Sequence, residues 1–256
     1  MEIKEFGTKE NEKILLIHGN MMCWKQFEKV IPLLSKRYHV IAVSIDGFDG
    51  TGQTRFTTAE ASAKKLSDYI AKNLDGNIQL VFGESFGCAT AIALFNSKIV
   101  QVDAMILNGA QYMDFGVLNK IFMYIIPRNQ YRFTRKLEQA EQQKKIPLML
   151  KLFTHTSEQN MVEMFRSVPP KISFETLDNC MKEAVSLYGE IAKRQPDNSA
   201  KVSIWYGAKE PNMKKAVSVL KTIYPNAENH PFIGMGHGEI IAYPKLMAKE
   251  IIRFMK

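Results

Sequence analysis

Cysteine is scarce in this chain: three occur in 256 residues, Cys23, Cys88 and Cys180, and no two of them form a C-x-x-C pair. An odd, dispersed set excludes a disulfide framework and a zinc knuckle. Long runs of one charge are also missing. The net charge is +8, but the excess is scattered lysine, as at Lys64-Lys65, Lys144-Lys145 and Lys214-Lys215. Such scatter reads as a solvated surface and not as a nucleic-acid footprint. No uncharged apolar stretch approaches the roughly 18 residues of a membrane-spanning helix. The opening Met-Glu-Ile-Lys-Glu has no basic segment followed by an apolar one, so no signal peptide is expected. Repeats and low-complexity tracts are absent as well. What is present is ordinary for a globular protein with a full core: 46% apolar and 23% charged residues. The expectation is one large soluble domain, or one with an insertion, in the cytoplasm, with no nucleic-acid partner and no stable membrane insertion.

The first half alternates strand and helix. Residues 13–18 form a short continuous apolar run, the mark of a strand covered on both faces. Residues 24–36 carry Phe27, Val30, Ile31 and Leu34 at helical spacing. A buried strand follows over 38–45, then a glycine- and aspartate-rich loop over 46–52. Thr57 and Thr58 are N-cap candidates for a helix running to about residue 74, with Gly76 as its stop. Strand 78–82, a small-residue helix over 88–96 and strand 102–107 complete a pattern that calls for a parallel sheet with helices on both faces. The pattern breaks at 111–196, where no convincing buried strand occurs. Helices are expected near 117–126 and 147–153, and from Ser173 along a stripe of Phe174, Leu177, Met181, Val185, Tyr188 and Ile191. Sheet signals return with a strand at 201–206, a helix at 212–224, a short strand at 229–232 and a closing helix at 245–256.

Between strand 78–82 and helix 88–96 stands Gly83-Glu84-Ser85-Phe86-Gly87, a G-x-S-x-G sequence in the context that gives it meaning. The chain must turn sharply there. A side chain at either glycine would strike the neighbouring strand or helix, and the serine oxygen is left standing above the sheet edge. The helix start beneath offers N–H groups and positive dipole to a developing oxyanion. A serine hydroxyl needs a base. Of five histidines (His18, His39, His155, His230 and His237), His237 lies in a glycine-flanked loop after the last strand. The base needs a carboxylate to hold its tautomer, and Glu210 stands in the loop after the preceding strand. The chain order is serine, acid, histidine.

With these residues the sequence resembles the α/β-hydrolase fold superfamily over nearly its whole length. The matching elements are His18-Gly19 after the family's third strand, the Gly83-to-Gly87 elbow, Gly207-x-x-Glu210-Pro211 and Gly236-His237. The resemblance implies an α/β fold with a mostly parallel, doubly wound sheet. Residues 1–110 and 197–256 would form the core. Residues 111–196 would be a helical cap inserted after the sixth strand of the family scheme. It also implies Ser85 as nucleophile, His237 as base, Glu210 as orienting acid, and an oxyanion hole from the backbone N–H groups of Phe86 and Asn20. Asp114 is the main rival for the acid, because some relatives recruit it there, and Asp197 a weaker one. The sequence departs from the family's commonest pattern in its glutamate acid, in Cys88 after Gly87, in the loop at Asp46, and in a first strand pair compressed into the first dozen residues. His18 is expected to be structural. Met21, Met22, Trp24, Phe122, Met123, Phe153 and Phe165 are candidates to line an acyl pocket, core packing being the competing role.

The expected activity is that of a serine hydrolase without metal or organic cofactor, a carboxylesterase acting on a small or medium hydrophobic acyl ester. Rival readings are thioesterase, C–C bond hydrolase, aminopeptidase, perhydrolase, and a low-turnover ligand receptor on the same fold. An aminopeptidase would want acidic cap residues, and Glu158, Glu163 and Glu175 form no distinctive cluster.

Overall fold

A computed structural model describes residues 1–110, 116–142, 166–191, 197, 199–211 and 213–256. The sheet has seven strands: β1 (Glu2–Phe6), β2 (Lys13–Ile17), β3 (His39–Ser44), β4 (Asn77–Glu84), β5 (Gln101–Asn108), β6 (Lys201–Gly207) and β7 (Glu228–Phe232), in the order β1-β3-β2-β4-β5-β6-β7. Only β1 runs antiparallel, against β3. The helices among the described residues are α1 (Ile31–Leu34), α2 (Ala59–Asn73), α3 (Gly87–Ser97), α4 (Asn119–Gln142), α5 (Phe174–Ile191), α6 (Met213–Ile223) and α7 (Pro244–Phe254).

The alternation of side chains along a strand divides the core into two layers. Ile14 and Leu16 of β2, with Val40 and Ala42 of β3, pack beneath α1 and α7 beside Phe27, Met247 and Ile251. Leu15 and Ile17, with Ile41 and Val43, face α2, α3 and α6 beside Leu66, Ile92 and Leu220. This is the doubly wound sheet expected, and the continuous apolar runs are its consequence. The chain leaves β2 to one side to form β3 and returns to the other to form β4. The C-terminal ends of β2 and β4 therefore flank a topological switch point, the crevice where open α/β sheets hold ligands.

Two expectations need correction. Residues 24–36 do not form one helix. A 3-10 turn (Trp24–Phe27) is followed by the four residues of α1. Pro32 has no N–H to extend a helix arriving from before it, and sits instead in the first turn of a new one. The compressed first strand pair is a single strand, β1, at the sheet edge. The described part of 111–196 contains α4, α5 and a 3-10 turn (Gly116–Leu118) and no strand. α4 is longer than the expected 117–126 and carries Pro127 inside it. Tyr131 of α4 meets Phe174 of α5 edge-on at 6.0 Å. The helix expected at 147–153 lies outside the described residues. Among the described residues no helix is long and apolar enough to cross a membrane.

Candidate active site

Ser85 has φ +49°, a left-handed conformation rare for a residue with a side chain. The two glycines around it explain how the turn is accommodated. A Cβ on Gly83 would come within 2.8 Å of the Cys88 backbone, and one on Gly87 within 2.6 Å of the carbonyl oxygens of Ile17 and His18. The elbow is thus pressed between the start of α3 and the end of β2. Its backbone is pinned by Ser85 N–H donating to the Asn108 carbonyl at 2.7 Å.

His237 arrives from the loop after β7. Its Nε2 lies 2.9 Å from Ser85 Oγ and its Nδ1 2.8 Å from Glu210 Oε2. Glu210 is held from behind: its other oxygen, Oε1, accepts the Gly207 N–H at 2.7 Å, and its side chain is fully buried. A carboxylate can only accept, so Nδ1 carries the hydrogen and Nε2 is left with the lone pair toward the serine. Burial lowers the basicity of His237, but the Glu210 hydrogen bond and the negative charges of Glu84 and Glu210 outweigh it, and its pKa stands above the usual imidazole value.

Asn20 occupies the turn after β2. Neither its backbone N–H nor that of Phe86 has an acceptor among the described residues. The turn is fixed by Gly19 N–H donating to Gln26 Oε1 at 2.9 Å and by Cys23 N–H donating to the Ser167 carbonyl at 2.8 Å. His18 is fully buried and bonded at both ring nitrogens: Nδ1–H donates to the Gly19 carbonyl, and Nε2 accepts the Ile45 N–H. Burial pushes its pKa down to about 4, against a smaller opposing effect of the Gly19 carbonyl. Its role in the turn is structural, as expected.

A cavity of about 580 Å³ opens over Ser85. Its described lining includes Met21 and Met22, Ile241 and Ala242, and the polar Gln130 and Arg166. Trp24 packs against Phe6 instead, and Phe122 and Met123 are not among the lining residues. Asp197 is engaged elsewhere, by Lys98 and Ser199. Glu175 meets Arg55. Asp114, His155, Phe153, Phe165, Glu158 and Glu163 lie outside the described residues. Three further residues, none of them singled out in the sequence, touch the site. Asn108 holds the elbow. A Cβ on Gly109 would fall 2.8 Å from His237 Cε1. Glu84 lies buried in the cavity floor. The visible signals were Asn108-Gly109 at a strand end and a carboxylate inside the motif itself.

Residues 13–223 match the family model for the alpha/beta hydrolase fold. The chain belongs to this family. An alpha/beta hydrolase family protein from Desulfitobacterium hafniense superposes with a TM-score of 0.79 at 21% identity, covering 100% of both chains. A carboxylesterase of Nitrososphaera gargenis gives 0.72 at 19% identity, over 99% of this chain and 93% of that one. Both likenesses are of fold. A curated relative, the 2-hydroxy-6-oxo-6-(2'-aminophenyl)hexa-2,4-dienoic acid hydrolase of Metapseudomonas resinovorans, is 29% identical over 141 residues, 53% of this chain and 47% of that protein. The match thus spans about half the length of the curated relative.

Proposed function

We propose that this alpha/beta hydrolase is a serine hydrolase that passes an acyl group to water through Ser85, acting as a carboxylesterase on a small or medium hydrophobic ester. The observation that carries the reading is the unbroken hydrogen-bonded line from Ser85 Oγ through His237 to Glu210, at 2.9 and 2.8 Å. In this reading Oγ attacks the acyl carbon as its proton passes to His237 Nε2, and the carbonyl π electrons move to the oxygen. Glu210 holds the tautomer and stabilises the imidazolium. The N–H groups of Asn20 and Phe86, which have no acceptor among the described residues, receive the oxyanion, at the start of α3 where the helix dipole adds to them. The tetrahedral intermediate collapses, and the leaving group takes the proton from His237. Water then repeats the sequence on the acyl-enzyme. Serine, imidazole and water account for every proton and electron pair. Residues 1–110 and 197–256 serve as the core and 111–196 as the cap.

Apolar Met21, Met22, Ile241 and Ala242 suit an acyl chain. A second reading, hydrolysis of a C–C bond in a carboxylate-bearing substrate, is favoured by the 29% identical relative. Arg166 and Lys25 on the cavity wall, neither in an ion pair among the described residues, would suit such a carboxylate.

The test is intact-mass analysis after treatment with a fluorophosphonate. One adduct is expected on the wild type, none on Ser85→Ala, and labelling slowed by at least about a hundredfold on His237→Ala. No adduct on folded wild type would refute the serine reading and move the protein to the ligand-receptor class. A panel of p-nitrophenyl esters against the dienoic acid named above then separates ester from C–C cleavage.

A further inference from the structure

We infer that Glu84 is a positioning residue of this site: from the cavity floor its carboxyl group sets how readily His237 accepts the serine proton. The inference rests on the reading of Ser85 and His237 given above.

Glu84 ends β4 and directly precedes the elbow serine. It is 2% exposed and lines the cavity together with Ser85 and His237. Its carboxyl is wedged between the two loops that carry the reactive groups. On one side, a Cβ on Gly19 would stand 3.4 Å from Glu84 Cγ. On the other, a Cβ on Gly238, the residue after His237, would come within 2.7 Å of Glu84 Oε1. Gly238 is also left-handed, with φ +64°, so glycine there meets both demands. Oε2 accepts from the side-chain N–H of Asn108, the residue paired with Glu84 across the sheet, whose carbonyl pins Ser85 N–H. One side chain thus touches the oxyanion turn and the histidine loop, and shares its partner with the elbow.

The group is a buried carboxyl with one hydrogen-bond donor and no cationic partner among the described residues. Lys25, Glu28, Lys29 and Arg166 stand elsewhere on the wall of the same cavity; the titratable groups that act on Glu84 most strongly among the described residues are few. They are the His237 imidazole from the loop after β7, Glu210 from the loop after β6, and the Cys88 thiol from α3. Glu239 also lines the cavity and is engaged by Gly236 N–H. His18, behind Gly19, is neutral. Burial raises the Glu84 pKa to about 7; the charge of His237 and the Asn108 bond restrain it, and Glu210 adds to it. Proton transfer from Ser85 creates an imidazolium that Glu210 holds by its hydrogen bond and that the charge of this carboxyl favours next. Ionised, it stabilises that cation. Protonated, it contributes only a dipole. The two groups therefore titrate as a coupled pair, and the nucleophile inherits their joint pH dependence.

The test needs no substrate. The imidazole nitrogen shifts of His237 are followed against pH by NMR in wild type and Glu84→Gln, with His237→Ala for assignment. In parallel, the second-order rate of fluorophosphonate labelling is measured against pH. In Glu84→Gln the His237 midpoint should fall by at least about half a pH unit. The rising limb of labelling should move with it, and the plateau rate should drop several-fold. Glu84→Asp should return the midpoint toward the wild-type value. An unchanged midpoint and limb in Glu84→Gln overturn the inference. If that variant does not fold, the Glu84 side-chain carboxyl carbon is titrated in the wild type, and no transition between about pH 5 and 9 overturns it equally. Failure of wild type to label refutes the serine reading instead, which the NMR titrations do not require.

Discussion

At Glu210 a single oxygen decides the proton order of the whole site. Because Oε2 can only accept, His237 Nδ1 must donate, and Nε2 must face Ser85 with its lone pair. Glu210→Gln offers an N–H₂ in the same place. Its other oxygen site would remain on Gly207 N–H, so the amide nitrogen would turn to the histidine and force the opposite tautomer. Nε2 would then carry a hydrogen and could not take the serine's. Labelling by fluorophosphonate should slow by about 10³–10⁴ while the fold and its melting temperature hold. A loss under tenfold would show that the acid is drawn from elsewhere, Asp114 being the rival. The legibility of such residues in sequence depends on how local their reasons are. Gly83 and Gly87 are required by contacts that any strand–elbow–helix must make, so the motif alone announces them. Glu84 sits in the same five residues. Its significance depends on Gly238, far along the chain and packed against it only after folding, and no spacing rule connects the two.

Elements were legible where their reasons were local too. β3 is buried along all six residues, and Val40 to Val43 at its centre read as a continuous apolar run. β1 does not read as a strand because it is an edge: Glu2, Lys4 and Glu5 leave it little apolar signal, and such charges are what keep an exposed edge from pairing with other chains. The 24–36 segment shows the opposite failure, apolar spacing suited to a helix that Pro32 divides. At α2 the local signal was complete. Thr58 is in the extended conformation of an N-cap, and its Oγ1 accepts the Ala61 N–H at 3.1 Å, with Glu60 in the first turn. Thr58→Ala should lower stability by about 1 kcal/mol, read as a lower urea midpoint at unchanged slope. α2 covers the face of the sheet opposite α1 and α7, and Thr58 is not among the residues that line the cavity, so the labelling rate of the folded variant should not change. A change in rate would mean that α2 is coupled to the elbow more tightly than its packing suggests.

For the molecule as a whole, the fold buries two ionisable groups of opposite habit, Glu84 in the cavity floor and His18 behind Gly19, and their effects on stability oppose each other. His18 has its folded pKa depressed to about 4, below the ordinary 6.5. The unfolded chain therefore binds the proton more readily, and stability is lost as pH falls from 6.5 toward 4. Protonation there would set an N–H at Nε2 against the N–H of Ile45. Glu84 has its folded pKa raised from 4.5 to about 7. The folded chain binds that proton more readily, and stability is lost as pH rises from 4.5 through 7. His237, also raised, contributes in the same direction as Glu84. Across the overlap the opposing slopes flatten the profile, so wild type should melt at nearly constant temperature there. Glu84→Gln removes Glu84 from one side of the balance and lessens the part of His237, whose raised pKa owes something to the Glu84 charge. Gln can keep the bond from Asn108 and never ionises. Relative to wild type the variant should gain a few degrees in melting temperature at about pH 8, and the gain should shrink as pH falls and vanish below 4.5, where Glu84 is neutral in the folded and the unfolded chain alike. The variant's own profile should then decline toward acid with the slope that His18 imposes. Parallel melting curves for the two proteins across this range would mean that Glu84 is ionised throughout in the folded state, and the opposition between the two groups would not exist.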